Sequence, residues 1–151
     1  MSRKYKFLDE EGVYFVSTAV WGWIDVFTRV EYKEILTNSL AFCQLEKGLN
    51  IHAYVVMSNH FHLLISKQKG EVSFSDILRD MKKYTAMQII KAIKNNPQES
   101  RKEWMLDLFS QAGKSNGQNT MYQFWQQHNQ PIEVSSNHKL ENAIQYIHEN
   151  P

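Results

Sequence analysis

Cysteine occurs once in this 151-residue chain, at Cys43. That excludes an internal disulfide and any zinc site built on several thiolates. No apolar run approaches the roughly 18 residues that a membrane-spanning helix needs, and the N-terminus lacks the charged-then-apolar order of a secretory signal. Repeats and low-complexity tracts are absent as well. Charge of one sign is not in excess, since 17 Lys and Arg stand against 16 Asp and Glu, a net of +1. Such a balance neither proposes nor forbids a nucleic-acid partner, which has to be argued from particular residues. The sequence is 42% hydrophobic and 13% aromatic, enough to build a core, so global disorder is excluded. The length fits a single domain over 1–151. The expected setting is soluble, reducing and cytoplasmic, with no membrane partner.

The first ten residues, with Arg3, Lys4 and Lys6, read as a short basic arm. Residues 12–23 are rich in β-branched and aromatic types and predict a strand. Over 28–47, Val30, Ile35, Leu36, Leu40, Cys43 and Leu45 recur with a helical period. Thr28 is the expected cap of that helix, with Glu31 three residues on, and Gly48 its stop. Residues 50–57 and 60–67 predict two further strands. The Ser58-Asn59 turn between them makes an antiparallel hairpin. The longest helical pattern runs over 73–94, capped by Ser73 and broken at Asn95-Asn96-Pro97. A shorter helical piece over 99–109, a loop over 112–119, a fourth strand over 120–127 and a loop over 131–137 follow. A last helix over 139–149 is capped by Asn137. This order implies an α+β fold of ferredoxin-like type, with a four-stranded antiparallel sheet and helices packed on it. The final helix is additional to that core.

Chemistry concentrates in two places. In His60-Phe61-His62 the imidazoles are at i and i+2, which on a strand face the same way while Phe61 faces the other. About 6–7 Å of strand rise separates them, close enough to share one divalent cation. The plain alternative is a pair of half-buried histidines bonded within a sheet. In Tyr146-Ile147-His148-Glu149-Asn150-Pro151, a helix puts Tyr146 and Asn150 on one face, aiming a phenol and an amide at one place. The plain alternative there is a core tyrosine and a helix-ending Asn-Pro.

Three stretches together resemble the REP-associated tyrosine transposases, a branch of the single-tyrosine HUH (insertion-sequence-200-like) family. They are Ala53-Tyr54-Val55-Val56-Met57-Ser58-Asn59-His60-Phe61-His62-Leu63-Leu64, then Gln123-Phe124-Trp125-Gln126, then the Tyr146–Pro151 ending. The resemblance extends from about Gly12 to Pro151. It implies that His60 and His62 hold Mg²⁺ or Mn²⁺, with Asn150 as a third, amide-oxygen ligand where relatives more often carry glutamine. It implies Tyr146 as nucleophile: single-stranded or hairpin DNA is cut and rejoined through a 5′-phosphotyrosine link, with no nucleotide cofactor. A phenol with an ordinary pKa near about 10 needs help to attack, and a divalent cation beside the phosphodiester supplies it. The resemblance also implies a homodimer, with Tyr146 acting in cis or in trans, and a basic arm (Arg3, Lys4, Lys6) on hairpin DNA. Relatives continue past the Asn-Pro dipeptide, so a C-terminal tail is expected to be missing here.

Other residues have weaker claims. Arg79, Lys82 and Lys83 form a stripe on the long helix that could face phosphates or simply water. His52 reads as a cross-strand or surface residue more than a ligand, and His148 points away from Tyr146 on a helix. Glu149 reads as a solvated helix end more than as a base. Tyr84 and Tyr122 are rival nucleophiles whose plainer role is packing. Trp21, Trp23, Trp104 and Trp125 are expected in the core. Two other functions compete with strand transfer: a catalytically idle, DNA-binding regulatory relative, and a metal-dependent hydrolase of another substrate.

Overall fold

A computed structural model describes residues 6–70, 72–117 and 121–149. Strand β1 (Tyr14–Ala19) is followed by two single 3-10 turns, Trp21–Trp23 and Val26–Thr28, and by helix α1 (Val30–Glu46). The hairpin β2 (Leu49–Val56) and β3 (His60–Lys67) comes next, then α2 (Phe74–Asn95) and α3 (Lys102–Ser115). Strand β4 (Ile132–Glu133) and helix α4 (Asn137–Glu149) complete the chain. The sheet order is β2-β3-β1-β4, with every neighbouring pair antiparallel. This is the ferredoxin-like α+β arrangement, with α4 as the added C-terminal helix that carries the tyrosine.

The pleat divides the sheet into two faces. Val16 on β1 and Phe61, Leu63 and Ile65 on β3 enter the main core with Leu36 of α1 and Ile77 of α2. Each such fully buried side chain is worth roughly 2 kcal/mol of hydrophobic stabilisation. Residues of opposite parity on β3, His60, His62 and Leu64, face the other side, where α4 lies against β2 and β3. Leu64 is fully covered and Ile147 of α4 is almost so, and neither belongs to the main core cluster.

Five local expectations need correction. The helix expected from Thr28 starts at Val30 with no side-chain cap, because the Thr28 hydroxyl instead donates to the Asp25 carbonyl. The loop expected from 112 is helical as far as Ser115. The segment 121–127 is not a strand; it pairs with the chain after β1 through the bridge of Trp125 to Val20, and the Trp125 ring packs edge-on against Phe61 of β3 at 5.3 Å. Its successive residues Phe124 and Trp125 are both buried, which an alternating strand would not allow. The fourth strand is instead the short Ile132–Glu133, paired with Phe15 and Tyr14 inside the expected loop. Finally, α4 begins at Asn137 and its first turn is capped by Ser136, whose hydroxyl accepts from the Lys139 amide. The expected cap of α2 holds: Ser73 accepts from the Asp76 amide.

Candidate active site

Antiparallel pairing sets the histidines side by side with β1. His60 lies opposite Ala19 and His62 opposite Ser17, while on the other side His62 pairs with Val55. Phe61 points into the core, as the period of two requires. The two imidazole rings stand 4.9 Å apart between centroids and 79° from coplanar. Phe15 stacks on His62 at 5.2 Å, and the Trp23 ring meets His60 edge-on at 5.9 Å. Each histidine uses Nδ1 within the fold: His60 with Asn59 Oδ1 at 2.7 Å, and His62 with Ser17 Oγ at 2.7 Å.

The remaining ring nitrogens define the site. His62 is only 7% exposed, and its Nε2 is buried with no hydrogen-bond partner. A buried polar atom without a partner costs on the order of 1–3 kcal/mol, so the sequence retains it against a stability cost. Burial, and secondarily the neighbouring His60, lower the His62 pKa to about 4. Burial lowers His60 as well. Both rings are therefore neutral near pH 7, the state in which imidazole can give a lone pair to a cation. Among the described residues no group of three or more His, Cys, Asp and Glu is placed to hold a metal ion. What they offer is this pair of imidazoles, and the orphaned Nε2 of His62 fits a cation that would take its lone pair.

Tyr146 comes to this place from α4. Its ring is edge-on to His62 at 5.3 Å and to Phe15 at 5.8 Å. Its next neighbour Ile147 is buried and anchors the helix, while Tyr146 stays 51% exposed. A cleft of about 290 Å³ opens beside it, lined by Phe15, Ile132, Val134, Lys139, Asn142 and Tyr146. His148 is exposed. Glu149 accepts a bond from Gln145 on its own helix. Asn150, Arg3 and Lys4 lie outside the described residues, whereas Lys6 is described and exposed.

The structure does not bring the α2 cations to the histidines. They sit on the helix layer, across the sheet from the His60 and His62 side chains. Arg79 pairs with Asp76 and Asp80. Lys82 donates to the Gln126 carbonyl at 2.8 Å, and burial lowers its pKa to about 8. Lys83 is exposed. His52 is a cross-strand residue, bonded to Ser66 Oγ at 2.8 Å. Tyr84 is exposed on α2, and Tyr122 takes the Lys94 ammonium over its ring at 4.8 Å. Of the tryptophans only Trp125 belongs to the core; Trp23 is 57% and Trp104 51% exposed, contrary to expectation. For Trp23 the cause is local, since Gly22 and Trp23 both adopt positive φ, +68° and +55°, and turn the ring outward beside His60. Three contributors escaped sequence reasoning: Ser17, Asn59 and Phe15. Asn59 was legible as a turn residue, but nothing in the sequence shows that Ser17 or Phe15 lies beside His62 until the β1–β3 register is known.

Residues 24–112, which include both histidines, match the family described as Transposase IS200 like. The chain belongs to this transposase family. Membership places it among proteins of DNA transposition. The transposase chain also superposes on the structure of a REP-associated tyrosine transposase bound to a REP hairpin. That match has a TM-score of 0.68 at 17% identity and covers 100% of this chain and 73% of the other. At this identity the likeness establishes the shared fold. A second solved structure, provisionally assigned as a transposase from Deinococcus radiodurans, aligns at 16% identity over 97% of this chain and 96% of that one. Its TM-score of 0.48 is too low to bear on the fold. No curated protein matches. The tyrosine helix lies beyond the residues matched to the family, so its position against the transposase histidines is read from the structure alone. No described helix of the transposase is long and apolar enough to cross a membrane.

Proposed function

We propose that this transposase cuts and rejoins single-stranded or hairpin DNA through Tyr146, with His60 and His62 holding Mg²⁺ or Mn²⁺ and Asn150 adding an amide oxygen. The observation that carries this reading is the Tyr146 ring beside the His62 ring, 5.3 Å apart within one chain. Tyr146 is half exposed, so a backbone phosphate can reach it, while the imidazole behind it is buried. When bound, the cation would withdraw charge from the phosphodiester and stabilise the crowded transition state.

The chain's own residues do the rest. Phe15 touches both rings and fixes the phenol relative to the histidines. Attack by the Tyr146 phenolic oxygen forms the O–P bond, and the P–O3′ bond breaks. The phenol loses its proton, and the departing 3′-oxygen gains one. The 5′-phosphotyrosine link keeps the energy of the broken bond, so a 3′-hydroxyl can attack it and reseal the strand without a nucleotide cofactor. Lys6, Arg3 and Lys4 of the arm, with Arg79 and Lys83 of α2, are proposed contacts to phosphates of flanking duplex. Lys82 is a weaker candidate, because its ammonium already donates inside the fold. A homodimer is proposed as the working unit.

The test is incubation with labelled hairpin DNA and Mn²⁺, read on a denaturing gel. A covalent protein–DNA band that disappears in Tyr146→Phe supports strand transfer. Hairpin binding with no covalent band in the wild type would instead make the chain a DNA-binding regulator.

A further inference from the structure

We infer that Asn59 and Ser17 are positioning residues that decide which ring nitrogen of each histidine is presented at the site. The inference rests on reading His60 and His62 as the cation-holding pair. It starts from the amide of Asn59. Its Nδ2 donates to the Trp23 carbonyl at 3.2 Å. Exchanging the amide oxygen and nitrogen would set two carbonyl oxygens against each other, so the orientation is fixed. Asn59 Oδ1 therefore faces His60 Nδ1 at 2.7 Å. That oxygen has lone pairs and no hydrogen, so the ring must supply the proton. Of the two neutral tautomers, His60 takes the one with hydrogen on Nδ1 and a bare lone pair on Nε2.

The acceptor is itself anchored. The Val20 amide donates to the Asn59 carbonyl at 2.8 Å, and the Trp23 amide closes a turn on Val20 at 3.0 Å. The Trp21–Trp23 turn, with positive φ at Gly22 and Trp23, thus places the carbonyl that locks the Asn59 amide, which in turn sets His60. The chain of bonds runs from backbone to amide to imidazole.

His62 is set differently. Its Nδ1 is bonded to Ser17 Oγ at 2.7 Å, and a hydroxyl both donates and accepts. If Ser17 accepts, Nε2 presents a lone pair; if Ser17 donates, Nε2 carries a hydrogen. Either way Nε2 is the buried atom without a partner. A rotation of one hydroxyl, with the ring proton moving between nitrogens, converts one state into the other. The pair therefore combines one histidine held permanently ready and one that becomes ready when a cation arrives. Partners behind a ligating histidine commonly change metal affinity by about 10–100-fold.

Long-range proton–nitrogen NMR correlation on the metal-free, ¹⁵N-labelled protein reads the tautomers directly. The expected result is a single Nδ1–H tautomer for His60, and for His62 the same tautomer once Cd²⁺, a diamagnetic probe, is added. Asn59→Asp loses the donor to the Trp23 carbonyl but keeps an acceptor for His60 Nδ1, and should keep the His60 tautomer. Asn59→Leu removes it, and should give mixed His60 tautomers and roughly tenfold weaker Mn²⁺ binding by calorimetry. A merely structural role for Asn59 would not give rescue by aspartate. A wild-type His60 protonated on Nε2, or Asn59→Leu with unchanged tautomer and affinity, overturns the inference. The outcome separates from the functional reading: the predicted tautomers with no covalent DNA adduct would leave the positioning roles standing and defeat strand transfer, and the reverse combination would do the opposite.

Discussion

Tyr146 and His62 meet edge to face, 5.3 Å apart, as residues of one and the same chain. Active sites assembled this way should work within a single protomer. Mixing a Tyr146→Phe chain with a His62→Ala chain should then give no covalent adduct above either variant alone. Adduct restored by mixing would show that the tyrosine of one protomer serves the histidines of its partner.

Because Nε2 of His62 is buried and orphaned, His62→Leu should trade function for stability. In chelator, the variant should unfold at the same denaturant concentration as wild type or be up to about 1 kcal/mol more stable, since an unsatisfied buried group is removed while Ser17 loses its partner. Added Mn²⁺ should raise the wild-type melting temperature and leave the variant unchanged. A loss above about 2 kcal/mol in the metal-free variant would mean that the nitrogen is well satisfied in the folded chain.

Lys82 gives a pH dependence of defined sign. Burial lowers its pKa to about 8, below the roughly 10.4 of an unfolded chain. Between those values the unfolded state holds more protons, so raising the pH stabilises the fold. Lys82→Met should therefore be more stable than wild type at pH 7, with the advantage shrinking toward about pH 9.5. Chemical denaturation at several pH values measures this difference. A constant difference, or one that grows with pH, contradicts the placement of Lys82. The window stops there because burial raises the pKa of Tyr14 and Tyr32 above their ordinary values.

Glu99 is the buried tie beneath the site. Arg29 Nε donates to it at 3.0 Å, Tyr32 Oη at 3.1 Å and Arg101 Nε at 3.0 Å. Arg101 also donates to the Asp25 carbonyl, and Asp25 Oδ1 accepts from Ser58, next to Asn59. Burial pushes the Glu99 carboxyl up, but the bonds from Arg101 and Tyr32 outweigh it and leave it below the usual carboxylate range. Its stabilisation is complete above about pH 4.3 and is lost as the pH falls below that. Glu99→Gln should cost about 3 kcal/mol at pH 7 and measurably less at about pH 3. An equal cost at both values would show that the charge contributes nothing.

The parts of the site that sequence reasoning reached are those fixed by local geometry. His60 and His62 share a face because they are two apart on a strand, and the hairpin followed from Ser58-Asn59. Tyr146 was legible as a helix residue, though its neighbour His62 was not given by spacing. Strand β4 was invisible because two residues, Ile132 and Glu133, are too short for any periodicity and form only by pairing with β1. Conversely, 121–127 has strand composition, yet Phe124 and Trp125 are both drawn into the core and Trp125 Nε1 bonds Thr85 at 2.9 Å. The basic stripe on α2 had the right spacing, but spacing cannot reveal that Arg79 is paired and Lys82 is turned inward.

Tyr146 is proposed as the residue that becomes joined to DNA. Mass spectrometry of the protease-digested adduct, formed on a hairpin in Mn²⁺, tests it most directly. The 138–149 region should carry a 5′-linked nucleotide on Tyr146. A nucleotide on Tyr84 or Tyr122, or an adduct that survives Tyr146→Phe, would contradict it.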